Sequence, residues 1–206
     1  MAQHSPIVLH SYRRCPFAMR VRMTLHEKDV PFQTIEEDLK NFSQDLKKHH
    51  PEAKVPVLLH EHHVLYESAI ITEYLEDTFP RPSLTPEDPW GKAQTRLWTH
   101  WCNHIFKPHV DQYKYGESRS RPEQVLAAPQ ELCKDLEKLE HRLSDHDWLV
   151  GESFSLADIH VFPFFRQLVK ATPRFSGLEK APKSLEWLER ICGRPSFQKT
   201  IEKKSS

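Results

Sequence analysis

The sequence lacks any excess of charge. Lysine plus arginine and aspartate plus glutamate both number 29, so the formal net charge is zero. A chain balanced in this way offers no electrostatic footprint for a polyanion, and a nucleic-acid partner is not expected. Long apolar runs are missing as well. No stretch approaches the roughly 18 apolar residues of a spanning helix, so no membrane segment is expected. The opening residues, Met1-Ala2-Gln3-His4-Ser5-Pro6, show no basic stretch followed by an apolar one, so no secretory signal is expected. Cysteine is sparse. The four residues Cys15, Cys102, Cys133 and Cys192 lie far apart and form neither a metal-ligand pattern nor a disulfide framework. The expectation is a reduced, cytoplasmic protein that holds no metal. There is no internal repeat and no low-complexity tract.

Against these absences one cysteine stands out. Residues Arg13-Arg14-Cys15-Pro16-Phe17-Ala18-Met19-Arg20 follow the apolar run Ile7-Val8-Leu9. Cys15 therefore sits between a strand and a helix. A helix start carries roughly half a positive charge, and its first amides have no intrahelical partner. Pro16 suits the first helical position. Arg13, Arg14 and Arg20 add full charges. All of this favours the thiolate, the nucleophilic form of the side chain, and a pKa well below the usual value is expected for Cys15. A dithiol site would need a second cysteine at position 18, which is Ala18. A mixed disulfide formed on Cys15 must then be resolved by a thiol from outside the chain.

The first part of the chain reads as strand and helix in alternation. Strands are expected at 7–10, 30–35, 54–59 and 64–66, the last two joined by a turn over 60–63. Helices are expected at 19–28 and 67–75, with a helix or ordered loop over 40–50. The order βαβαββα suggests a small mixed sheet with helices on both faces, an α/β domain spanning residues 1–78. Four prolines between Phe79 and Pro89 cannot continue a helix and mark a stiff linker at 79–89. Beyond it, from 90 to 206, no strand pattern recurs, and the domain is expected to be all-helical. Its helices are read over 90–115, 121–144, 156–170 and 184–191. Ser155 and Asp158 have the spacing of a capping box, and Asp158 is read as structural.

Together these residues resemble the cytosolic glutathione transferases of the cysteine type. The matching segments are Cys15-Pro16-Phe17-Ala18, Val55-Pro56-Val57-Leu58 followed by Tyr66-Glu67-Ser68-Ala69-Ile70, and Phe154-Ser155-Leu156-Ala157-Asp158. The resemblance covers about residues 6 to 200 and is greatest to the omega class and related bacterial proteins. It implies a thioredoxin-like N-terminal domain, an all-helical C-terminal domain, glutathione as cosubstrate and a homodimer. It also implies a thiol transferase or dehydroascorbate reductase working through a Cys15 mixed disulfide with a small-molecule or protein disulfide.

The resemblance further implies that the Val55 backbone pairs with the cysteinyl unit of glutathione, like an added strand. A cis Pro56 would turn the Val55 amide and carbonyl outward. Glu67 suits the ammonium of the γ-glutamyl end. Ser68, with the first amides of its helix, suits that end's carboxylate. Phe17 is placed beside the bound peptide. Where related proteins carry a lysine for the glycyl carboxylate, this chain has Phe42, which leaves Lys40 and Lys54 as candidates.

Other readings stand beside this one. Tyr12 or Ser11 would stabilise the glutathione thiolate in a conjugating transferase. A non-catalytic binding protein on the same fold is the other class. Trp98, Trp101, Cys102, His104, Ile105 and Phe106 line an acceptor pocket or else pack in a core. His100 and His104, and the turn residues His60, Glu61, His62 and His63, are read as solvated polar residues rather than metal ligands.

Overall fold

The computed structural model describes residues 6–202. The chain divides into two compact units, one running to Ser83 and resuming at Arg194, the other spanning Leu84–Gly193.

The first unit is built on β1 (Ile7–Ser11), α1 (Pro16–Glu27), β2 (Phe32–Glu36), α2 (Gln44–His49), β3 (Val57–His60), β4 (His63–Tyr66) and α3 (Ser68–Thr78). The four strands form one sheet in the order β2-β1-β3-β4. β1 runs parallel to β2, and β3 is antiparallel to both β1 and β4. β1 is almost wholly buried because it lies inside the sheet, whereas β4 lies at the edge and is largely exposed. Ile7, Leu9 and Leu58 of the sheet pack with Val21 and Leu25 of α1 and Ile71 and Leu75 of α3, and this cluster is the core of the unit.

The second unit contains no strand among its described residues. It comprises α4 (Pro89–Trp101), α5 (Lys107–Tyr115), α6 (Pro122–Asp145), α7 (Leu156–Ala171) and α8 (Pro182–Cys192). Its centre is α7, whose Ile159, Val161, Phe162, Phe164 and Phe165 are all fully buried. The chain then returns to the first unit with α9 (Pro195–Ile201), which packs on α1. Arg194 grips the Glu27 carboxylate with two hydrogen bonds of 2.8 Å. The long-range organisation thus differs from the expectation that everything after residue 90 belongs to the helical domain. α9 has only seven residues, too short for an apolar period to reveal it.

Five helices open on a proline: α1, α4, α6, α8 and α9. At a first helical position the missing N–H leaves no bond unmade. The helix expected over 90–115 is continuous but changes pitch to a π-helix at Cys102–Phe106. Pro108 comes one residue after Lys107 closes this segment; it offers no amide to the preceding turn and its ring crowds the carbonyl four residues back, and a wider turn relieves both. No described helix is long and apolar enough to cross a membrane.

Candidate active site

Cys15 is the N-cap of α1, with Pro16 at the first helical position. Its thiol donates to the Val55 carbonyl at 3.8 Å, which joins the β1–α1 junction to the loop before β3. The Val55–Pro56 peptide bond is cis, as expected. Glu67 precedes α3 in a left-handed conformation, φ 66°, and is its N-cap. An acidic side chain is rarely held there, and such outliers gather at ligand sites. The structure thus brings Cys15 and Val55 together and sets Glu67 and Ser68 side by side at the start of α3.

The electrostatics of Cys15 depart from the sequence expectation. Burial pushes its thiol pKa up. The amides of Ala18 and Phe17 and the charges of Arg22 and Arg20 pull it down, but burial outweighs them. The helix-start effect is present as anticipated; what the sequence does not reveal is that the half-buried thiol loses enough water for desolvation to outweigh it. Of the arginines expected to act, Arg20 does and Arg13 and Arg14 do not. Arg14 turns to the Tyr12 hydroxyl at 2.7 Å. The guanidiniums that act on the sulfur are Arg20 and Arg22, both inside α1 and both buried. Arg22 was not singled out from the sequence. It donates to the Ser11 hydroxyl, to the Arg13 carbonyl at 2.6 Å and to the Tyr12 carbonyl at 3.3 Å, and so holds the loop that presents Cys15. Its own pKa is lowered to about 10 by burial. The readable signal was a pair of arginines breaking the apolar run Met19, Val21, Met23 of a helix.

Of the remaining candidates, Phe17 lies beneath the Arg20 guanidinium, 5.3 Å from its ring centre. Lys54 is exposed and ion-paired with Glu52; that partner's hydrogen bond and charge raise its pKa, and Glu67 adds to the effect. Lys40 is exposed on the turn after Asp38, whose carboxylate accepts its backbone amide at 2.9 Å. Ser11 is fully buried under Arg22. In the second unit Trp98, Trp101, Cys102 and Phe106 are core residues, with Trp101 stacked on Phe106, while His104 and Ile105 are exposed. Exposed Glu61, His62 and His63 in the β3–β4 turn bring three ligand-type atoms within 4.8 Å of one another. A separate cavity of about 770 Å³ opens by Ile7 and Phe32; none of the predicted site residues lines it.

Comparison with known proteins settles the family. Residues 9–83 match the glutathione S-transferase N-terminal domain, and residues 101–195 match the glutathione S-transferase C-terminal domain. The chain is 31% identical to the probable glutathione S-transferase parC of Nicotiana tabacum, over 95% of this chain and 89% of that one. This chain belongs to the glutathione S-transferase family. The transferase is also 31% identical to protein LigF of Sphingobium sp. strain SYK-6, over 95% of this chain and 93% of that protein. Among solved structures, the Tau class enzyme of mango, Mangifera indica, superposes with a TM-score of 0.83 at 27% identity, covering 96% of this chain and 93% of that one. The fold is the family's: a thioredoxin-like domain with a mixed four-stranded sheet, and an all-helical domain. Glutathione is its substrate. The relatives named here are of Tau type or LigF, and the resemblance to the omega class gains no support from them.

Proposed function

We propose that this transferase moves glutathionyl groups through Cys15, reducing glutathione mixed disulfides and dehydroascorbate. The Cys15 thiolate attacks the glutathionyl sulfur of a mixed disulfide. That S–S bond breaks, and the substrate sulfur leaves as a thiolate. A second glutathione gives up its proton, which the departing thiolate takes, and its sulfur attacks the Cys15-bound glutathionyl group. Glutathione disulfide forms and Cys15 is regenerated. Dehydroascorbate would accept the two electrons and two protons of two glutathione thiols at the same sulfur.

The observation that supports this reading is the placement of Cys15 as the N-cap of α1, its sulfur beside the Val55 carbonyl, where the Phe17 and Ala18 amides and the Arg22 and Arg20 charges counter the upward push of burial on its pKa. The Val55 backbone beside Pro56, together with Glu67, Ser68 and Phe17, holds the glutathionyl moiety. Lys40 and Lys54, both exposed, are the cations offered to the glycyl carboxylate. The test is Cys15→Ala with a glutathionylated peptide, followed by mass spectrometry of the wild type. Loss of reduction, and a mass gain of one glutathionyl unit on Cys15, are expected. Undiminished turnover by the variant would overturn the proposal.

One finding favours a second reading. A thiol whose pKa is pushed up by burial is a hydrogen-bond donor at neutral pH. Cys15 would then donate to the thiolate of glutathione itself, and the enzyme would conjugate that sulfur to an electrophilic carbon. Ser11 and Tyr12 are poor substitutes, since Arg22 and Arg14 already engage their oxygens. Conjugation of chlorodinitrobenzene by Cys15→Ser separates the two readings: the hydroxyl sustains donation but not disulfide exchange.

A homodimer is also proposed. Its support is apolar surface left uncovered within each unit: Ile70 of α3 is 57% exposed, Trp90 and Leu97 of α4 are 73% and 58% exposed. A reducing, cytoplasmic setting is proposed on the ground that all four cysteines are free.

A further inference from the structure

α1 buries two arginines. Arg22 is accounted for by the loop oxygens it holds. Arg20 has no solvent exposure, and among its contacts are the Phe17 ring in its own first turn and, at 3.2 Å, the Ser68 hydroxyl at the first position of α3. A buried guanidinium carries a heavy desolvation cost that an apolar residue of the same length would avoid. Packing alone does not call for it.

The chemistry of the Arg20–Ser68 pair is directional. Arginine only donates, and a serine hydroxyl has one hydrogen to give and lone pairs to accept with. With a lone pair committed to Arg20, Ser68 keeps its hydrogen, and no described protein group accepts it. The first amides of α3 open at the same place. We infer that Arg20 is a positioning residue, which fixes the Ser68 hydroxyl as a donor toward the γ-glutamyl carboxylate of glutathione and sets a permanent positive charge behind both that carboxylate and Cys15. This rests on the assignment of Ser68 and Cys15 to glutathione made above. The same charge acts on the thiol, as its place among the influences on Cys15 requires.

The test uses S-methylglutathione, which binds but cannot react, and its analogue with the γ-glutamyl carboxylate converted to an amide. Calorimetry is run on the wild type, Arg20→Met, Arg20→Lys and Ser68→Ala, each checked for folding by thermal melting. Arg20→Met and Ser68→Ala are each expected to weaken S-methylglutathione roughly tenfold or more, the range of a lost charge-assisted bond. Neither should change the weaker affinity for the amide analogue. Arg20→Lys should recover part of the loss, and Arg20→Met should raise the pH midpoint of Cys15 alkylation. An equal loss for both ligands, or no loss at all, would overturn the inference. A Met variant that fails to fold leaves Ser68→Ala and Arg20→Lys to decide it. Failure of the Cys15 proposal has a different signature: turnover by Cys15→Ala with ligand affinities unaltered.

Discussion

The Cys15 thiol and the Val55 carbonyl oxygen lie 3.8 Å apart, sulfur to oxygen, across the junction between α1 and the loop before β3. The hydrogen bond favours the protonated sulfur, and it occupies the carbonyl that a bound glutathione is expected to use. Burial and this acceptor both favour the neutral thiol.

This gives the first prediction. Alkylation of Cys15 by iodoacetamide is expected to be slow at neutral pH and still rising at about pH 9, because the folded thiol binds its proton more tightly than a free one. The sign for stability follows. Unfolding releases that proton once the pH exceeds the unfolded pKa, so the buried thiol's contribution is present below that value and lost as pH rises through the folded pKa. Cys15→Ala should show a shallower alkaline loss of stability in urea titrations. A plateau of alkylation below pH 8 contradicts the assignment.

The second prediction separates chemistry from binding. Cys15→Ser is expected to lower disulfide reduction by roughly a thousandfold or more, as loss of a nucleophile does, while leaving S-methylglutathione affinity within about threefold, less than 1 kcal/mol. Steady-state kinetics and calorimetry on one preparation check both.

The third concerns the second unit. The Asp158 carboxylate accepts from the Leu149 and Ser155 amides at 3.0 Å and from the Trp187 indole at 2.9 Å. Burial nevertheless pushes its pKa up to about 6, with these bonds opposing. A carboxyl raised on folding binds a proton that the unfolded chain has released, so its contribution falls as pH rises from about 4 to about 6. Asp158→Ala strands several buried donors and should cost about 3 kcal/mol or more near pH 5. Thermal melts across that range measure it.

The fourth concerns the first unit. The Lys28 side chain is fully buried, bonded to Glu76 at 2.6 Å and to the carbonyls of Phe79 and Pro82 at 2.7 and 3.0 Å. Lys28→Met removes a buried cation from the side of Glu76 and should destabilise by about 3–5 kcal/mol. Lys28→Met/Glu76→Leu should recover a substantial part. Denaturation of the double variant, compared with the sum of the singles, tests the coupling.

The capping box shows how far local pattern reaches. Ser155 and Asp158 are three residues apart, and spacing alone foretold the Ser155 N–H to Asp158 bond; the indole of Trp187, nearly thirty residues on, joins the same carboxylate only through packing. The same division holds at the active site. The start of α1 at Pro16 and the edge strand before Glu67 follow from local preference, but Arg20 meets Ser68 across 48 positions of sequence. No periodicity encodes that meeting. The arginines nearest Cys15 in sequence are not the ones that act on it.

By itself the sequence determined the order of strands and helices in the first unit, the proline at the start of α1 and the cysteine at that helix's open end, because each depends on backbone preferences within a few residues. Tertiary structure decided what solvent could not reach. It buried Cys15 enough for desolvation to outweigh the helix-start amides, brought α9 back onto α1, and placed two guanidiniums behind the sulfur. A pKa depends on the dielectric around a group, and that is set by every chain segment packed near it rather than by its neighbours in sequence.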